Sequence, residues 1–175
     1  YKKYPTEENL LLLTKELFLQ KEYAKIINYT NKINSKECDN ELAYYRIISL
    51  FEKKSTKFNN EFIYWCTQKN YTSFHHKVFL KLESVNPLIE FRDNIYTKQF
   101  DIASSKIVSI LEDKKNYLPQ IFSDIGKAFL YKSNDHLKNA IYLDSKLEEV
   151  PDECKFYLLF YSGRLYDKSN DYKTK

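Results

Sequence analysis

Histidines, which often bind metal ions and transfer protons, are few in this chain and poorly spaced for either task. Three histidines occur, of which His75 and His76 are neighbours and His136 follows Asp135. Adjacent residues of a helix point about 100° apart, so the histidine pair does not offer two ligands to one metal ion. The sequence therefore predicts no metal site.

The spacing of the three cysteines also does not match that of a metal site or a set of disulfides. Cys38, Cys66 and Cys154 are odd in number, lie far apart and contain no C-x-x-C pair, which argues against a disulfide framework or a zinc site. We expect three small apolar residues on or near helix faces, with one incidental disulfide as the alternative.

The acidic pairs and the glycines offer no better case for catalysis. The pairs at 112–113 and 148–149 fall at the ends of predicted helices, where solvated carboxylates are ordinary. The only two glycines, Gly126 and Gly163, each fall inside a predicted helix, where close packing explains a missing side chain and no phosphate loop is formed. We therefore predict a chain that is not an enzyme and has no cofactor.

Charge disfavours nucleic acid as the partner. The 28 basic residues exceed the 24 acidic residues by a net +4, but only Arg46, Arg92 and Arg164 are arginines. Proteins that grip phosphate usually use the bidentate guanidinium group, so a mild lysine excess indicates a solvated surface first. A helical-repeat RNA-binding module remains the alternative function, because the basic balance and the many aromatic residues would suit it.

The composition indicates one all-helical domain over residues 1–175. The chain is 43% hydrophobic and 17% aromatic, yet has only two glycines and four prolines, so it can form few of the tight turns that β-sandwiches need. No apolar run approaches the roughly 20 residues that span a bilayer. We expect a soluble fragment of a longer protein, whether cytoplasmic or exported, because the chain starts at Tyr1, contains no Met and ends within a motif.

Apolar spacing along the chain predicts a series of amphipathic helices joined by short linkers and no strand. The predicted helices span residues 6–20, 23–33, 40–52, 58–68, 72–84, 86–97, 100–113, 118–131, 135–149 and 151–167, and an eleventh begins at 169–170. Such linkers suit antiparallel helix pairs laid side by side.

A weak internal repeat accompanies these helices. A bulky residue is followed three positions later by an aliphatic one, and the aliphatic members are spaced by 37, 40 and 37 residues; they are Ile26, Ile63, Ala103 and Ala140. Self-similarity at this period is typical of helical-repeat proteins.

The C-terminal part resembles the tetratricopeptide repeat. Gly163, Tyr166 and Tyr172 match the spacing of a small residue, an aromatic residue three positions later and another six further on. Gly126 and Phe129 begin a partial second copy. The resemblance implies helix pairs stacked as a right-handed α-solenoid. It also leads us to expect Ala140 and Gly163 to be buried where two helices approach.

The resemblance further implies a non-catalytic protein–protein interaction scaffold that binds a peptide or partner protein in a concave groove. Placing Gly163 against the partner helix of its own pair predicts the groove residues Lys127, Tyr131, Tyr157, Phe160, Arg164 and Asp167. Their mixture of aromatic and charged groups suits a peptide with apolar anchors and an acidic residue. The alternative is that Tyr157 and Phe160 only cover an exposed end of the stack. The oligomeric state and the partner's identity are left open.

Overall fold

The computed structural model describes residues 6–31, 38–68, 70–82, 86–132 and 135–171, apart from the side chains at 132 and 171. These residues form ten α-helices and a 3-10 turn at Lys114–Asn116, with no strand among them, which confirms the all-helical prediction. The helices are α1 Glu7–Leu19, α2 Tyr23–Thr30, α3 Asn40–Glu52, α4 Phe58–Gln68, α5 Ser73–Phe79, α6 Pro87–Tyr96, α7 Phe100–Glu112, α8 Pro119–Lys132, α9 His136–Ser145 and α10 Asp152–Asp171.

The chain divides into two compact units, Tyr1–Glu83 and Ser84–Lys175. The first contains α1 to α5 and the second contains α6 to α10. The prediction of one domain over residues 1–175 stays a prediction.

The first unit is organised around α3, which packs against α1, α2, α4 and α5. Arg46 on this helix is buried and its guanidinium forms a two-pronged ion pair with Glu61, with both N–O distances 2.7 Å. The same side chain also donates to the Thr30 hydroxyl at 3.0 Å. Arg46 thus joins α2, α3 and α4, and its charge is used inside the fold.

Three helices are followed, two residues after their last helical residue, by a lysine with a left-handed backbone, at a position where glycine is the usual residue. Lys21, Lys54 and Lys98 follow α1, α3 and α6 with φ of 57°, 50° and 61°. At the first of these turns the Lys21 N–H donates to the Phe18 carbonyl and the Glu22 N–H to the Leu17 carbonyl, a Schellman motif. Lysines at these turns explain how a chain with two glycines turns between helices.

In the second unit, α6 packs on α7 and α7 packs on α8. The last helix, α10, packs against both α8 and α9, which touch each other only briefly. The residues of the shared core include Phe91, Ala103, Ile107, Ile121, Phe122, Ile125, Ala128, Ala140, Leu143, Cys154, Leu158 and Leu165. This core fixes the rotation of α10 about its own axis.

The two helical glycines have opposite surroundings. Gly126 is buried, and a Cβ atom built there would fall 2.1 Å from Cγ of Tyr161, so α8 and α10 approach closely at this pair. Gly163 is exposed, and a Cβ there would meet no atom of the described residues within 4 Å. The expected burial of Ala140 is confirmed, but that of Gly163 is wrong. The buried Leu158 and Leu165 face the core, and Gly163 lies on the opposite side of the same helix.

Three predicted helix ends also need correction. The fifth helix ends at Phe79 rather than at residue 84, the ninth ends at Ser145 rather than Glu149, and α10 continues to Asp171 with no break at residues 167–169. No eleventh helix therefore begins at Ser169, because its hydroxyl donates to the Tyr166 carbonyl at 2.7 Å inside the continuing helix instead of capping a new one. Tyr172 of the repeat motif and the predicted end of the second helix at Ile33 lie outside the described residues.

Candidate functional site

The second unit presents an apolar and charged surface on the outer side of α10. We call this surface the α10 face; its members are all exposed and are Phe156, Leu159, Phe160, Gly163, Arg164 and Asp167. At 3.6 residues per turn they fall within an arc of about 140°. The opposite arc contains the buried Leu158, Tyr161 and Leu165. Burial of that arc against α8 and α9 turns the α10 face outward.

The aromatic rings of the α10 face are held by other rings. Phe156 is 67% exposed and stacks on Phe160, with ring centroids 6.2 Å apart and planes 18° apart. Phe160 is 47% exposed and meets Tyr161 edge to face at 5.0 Å. Because Tyr161 is itself packed against Gly126, the exposed pair is joined to the core. Because the rings are already held in place, a partner that binds them costs less side-chain conformational entropy than one that binds rings on a flexible loop.

Gly163 leaves a gap in the α10 face. One turn of helix separates it from Leu159 and Phe160 on one side and from Asp167 on the other. Among the residues that the structure describes, none places an atom within 4 Å of a Cβ added at Gly163. The backbone of α10 is therefore accessible there. A side chain from a partner could enter this gap and contact the backbone.

Charged side chains lie near both ends of the α10 face, with acidic residues at the start of the helix and Arg164 with Asp167 near its other end. Asp152 and Glu153 are exposed in the first turn of α10. The Asp152 carboxylate forms an ion pair with Lys155, with Oδ1 and Nζ 2.7 Å apart. The exposed Arg164 lies three turns further on. The other two arginines of the chain are buried, so Arg164 alone offers a guanidinium group to a partner.

The predicted groove residues on α8 contact other side chains of the second unit. Lys127 Nζ lies 3.0 Å from Asp124 Oδ1, and the second oxygen of that carboxylate accepts from Arg92 Nε at 2.8 Å. Lys127 thus caps a buried ion pair, with its own side chain 42% exposed.

Tyr131 is 66% exposed and lies among residues of three helices. Its ring stacks on Phe100 of α7 at 5.2 Å, and Lys168 Nζ of α10 lies 6.0 Å from the ring centroid. The same ammonium donates to the Leu130 carbonyl at 3.0 Å. These contacts tie the C-terminal end of α8 to α10.

The structure brings together part of the predicted site. Phe160, Arg164 and Asp167 share the α10 face, whereas Tyr157 is half-buried against the core. The sequence interpretation missed Phe156 and Leu159, because placing Gly163 inward rotates the helical wheel by about half a turn. The signal was present in the spacing, since Phe156, Phe160 and Gly163 follow the i, i+4, i+7 rule for one face.

The histidines take structural positions. His75 is buried, stacks on Trp65 with centroids 3.7 Å apart, and accepts at Nδ1 from the Thr72 N–H at 3.1 Å, which caps α5. Burial is the main cause that lowers the pKa of His136. In the described ranges no group of three or more histidine, cysteine or acidic residues could hold a metal ion.

All three cysteines are buried. For Cys154, burial in the core is the main cause that raises the pKa of the thiol to about 11. A thiol with this pKa is almost wholly protonated at neutral pH and is a poor nucleophile. Its arrangement suits packing rather than chemistry.

Within the part of the chain that the structure describes, none of the helices combines the length and apolarity needed to cross a bilayer. Searches against protein-family models, curated proteins and solved structures found no match to this chain.

Proposed function

We propose that this chain is a non-catalytic protein-interaction module, and that the α10 face is its contact surface. The observation that carries the proposal is the stacked, exposed pair Phe156 and Phe160 beside the gap at Gly163. Aromatic anchors grouped with an arginine are the residues that most often dominate binding energy at protein interfaces. A contiguous exposed apolar patch also costs solubility, so such patches commonly mark interaction sites.

We further propose that the helices stack in the manner of divergent tetratricopeptide-like repeats. The succession in which α6 packs on α7 and α7 packs on α8 supports this proposal. In this arrangement Lys127 and Tyr131 would extend the contact surface along α8, and a bound peptide would meet both aromatic and basic groups.

Site-specific photo-crosslinking in cell lysate tests the α10 face as a contact surface. A benzophenone amino acid at Leu159 is expected to give a defined crosslinked product, because this side chain is 56% exposed beside both phenylalanines. The matched control is the same group at Val108, which is 64% exposed on α7. The product from position 159 should be lost when Phe156→Ser is added. Identical products from both positions would contradict the proposal.

The RNA-binding alternative is tested separately with random RNA. Phosphate binding falls steeply with salt because counterions are released. If the chain binds this RNA with such a salt dependence and Phe156→Ser has no effect on crosslinking, the RNA alternative replaces the proposed function. Burial of Arg46 and Arg92 in ion pairs argues against that outcome.

A further inference from the structure

We infer that the partner of the α10 face is a second copy of this chain, with the two α10 helices antiparallel across a two-fold axis near Leu159. This inference rests on the proposed function, because it uses the same surface. Two features of the face carry it: a ring that matches a gap, and an acidic residue that matches an arginine. Both matches occur in the same register.

The first match is between Phe156 and Gly163. In an antiparallel pair, residues equally distant from the axis on opposite sides face each other. Phe156 lies three residues before Leu159 and Gly163 lies four residues after it, a difference of about 1.5 Å along the helix. Each exposed Phe156 ring therefore comes opposite the gap above Gly163 of the second copy, and a two-fold dimer fills both gaps.

The second match is between Glu153 and Arg164. Glu153 lies six residues before the axis and Arg164 lies five after it, and the helical wheel places both on the same flank of the face. The two-fold axis of such a pair is perpendicular to both helices and lies in the plane of contact. Rotation about it reverses the helix direction but leaves each residue on the same flank of the interface. Glu153 thus faces Arg164 of the second copy, and this exposed pair also occurs twice.

Repulsion between like charges disfavours this antiparallel register only weakly. Asp167 comes near Asp152 of the second copy, but the Asp152 carboxylate is already paired with Lys155 at 2.7 Å. A contact between two single helices lies at the small end of specific interfaces, below about 1,200 Å² of total buried area. We therefore expect a reversible dimer with a dissociation constant on the order of micromolar.

Sedimentation velocity of the 175-residue chain from about 1 μM to about 1 mM tests for this dimer. We expect a concentration-dependent shift from monomer to dimer. Phe156→Asp should weaken dimerisation at least about tenfold, since it puts a carboxylate opposite the Gly163 gap. Val108→Asp on α7 is the matched control and should leave it unchanged. Equal effects of the two variants would overturn the inference.

Charge exchange tests the register. Glu153→Arg and Arg164→Glu should each weaken the homodimer, because each sets like charges opposite one another at two places. An equimolar mixture of the two variants should regain dimer, because both cross-pairs in the mixed dimer are again of opposite sign. No recovery in the mixture would overturn the antiparallel register.

The outcomes for the two proposals can be told apart. A chain that stays monomeric throughout the concentration range, yet crosslinks from position 159 to a different protein, overturns the second-copy inference and leaves the proposed function standing. A monomeric chain with no specific crosslink overturns both. A crosslinked product of twice the chain mass in purified protein, lost with Phe156→Asp, supports both.

Discussion

Gly126 on α8 and Tyr161 on α10 are in such close contact that a Cβ at position 126 would lie 2.1 Å from Cγ and 2.7 Å from Cβ of the tyrosine. These tyrosine atoms are close to the backbone of α10 and cannot swing aside as the end of a long side chain can. The contact therefore sets the distance between the two helices. It also supports Phe160, whose ring meets Tyr161 edge to face.

Gly126→Ala is expected to destabilise the fold. The added methyl must displace Tyr161 or separate the two helices, and overpacking of this kind costs about 1 to 3 kcal/mol. Urea denaturation followed by circular dichroism measures the loss.

Gly163→Ala is the matched control, because both glycines lie inside helices and only one has open space above it. At position 163 the added methyl meets no neighbour among the described residues, so only the higher helix propensity of alanine matters, and it should stabilise the fold by up to about 1 kcal/mol. If both substitutions changed the unfolding midpoint in the same direction, the assigned surroundings of the two glycines would be wrong.

Lys98→Gly is expected to stabilise the second unit. Lys98 has φ of 61°, and a left-handed backbone costs a residue with a Cβ roughly 1 to 2 kcal/mol that glycine avoids. The more flexible unfolded chain offsets part of this gain. A rise in melting temperature checks the prediction, and Lys106→Gly inside α7 should lower it. A fall with Lys98→Gly would count against the left-handed turn.

Asp124→Asn should be among the most damaging single substitutions. The Asp124 carboxylate is buried between Arg92 Nε at 2.8 Å and Lys127 Nζ at 3.0 Å. Removing the Asp124 charge that pairs with the buried Arg92 costs about 3 to 5 kcal/mol. Glu149→Gln removes the exposed partner of Lys146 instead and should cost less than about 1 kcal/mol. Chemical denaturation of both variants compares them, and similar losses would show that the Asp124 pair is not buried.

His136 should make stability depend on pH. Burial, followed by the charge of Lys168, lowers the pKa of its imidazole below the ordinary 6.5, with Asp135 opposing in part. The unfolded chain therefore binds a proton at His136 more readily than the folded chain does. The contribution of His136 to the free energy of unfolding is complete above pH 6.5 and is lost as the pH falls through the lowered pKa.

Melting temperatures at about pH 7.5 and about pH 5 measure the effect, since histidine titrates within this window. The fall on acidification should be smaller for His136→Asn than for the unaltered chain. An identical fall in both would mean that His136 does not titrate differently on folding. His76→Asn serves as the control, because it leaves His136 in place.

Local sequence signals determined the helical content of this protein. The 3.6-residue apolar period, the scarcity of glycine and proline, and capping residues such as Thr6, Asp39 and Asn86 predict helix positions closely. Each of these three side chains accepts from a backbone N–H at a helix start. Such signals act within one or two turns, so they are readable without knowledge of the fold. Ala140 belongs to this group, because its small side chain recurs at the repeat spacing and it is buried.

Tertiary packing decided what local signals leave open, namely which face of each helix is covered. Gly126 and Gly163 are both glycines inside helices, yet α10 covers Gly126, whereas none of the described residues lies within 4 Å of a Cβ added at Gly163. The rotation of α10 follows from burying Leu158, Tyr161 and Leu165 together against α8 and α9. That rotation leaves Phe156 and Phe160 outside, because side chains on opposite faces of one helix cannot both reach the same core.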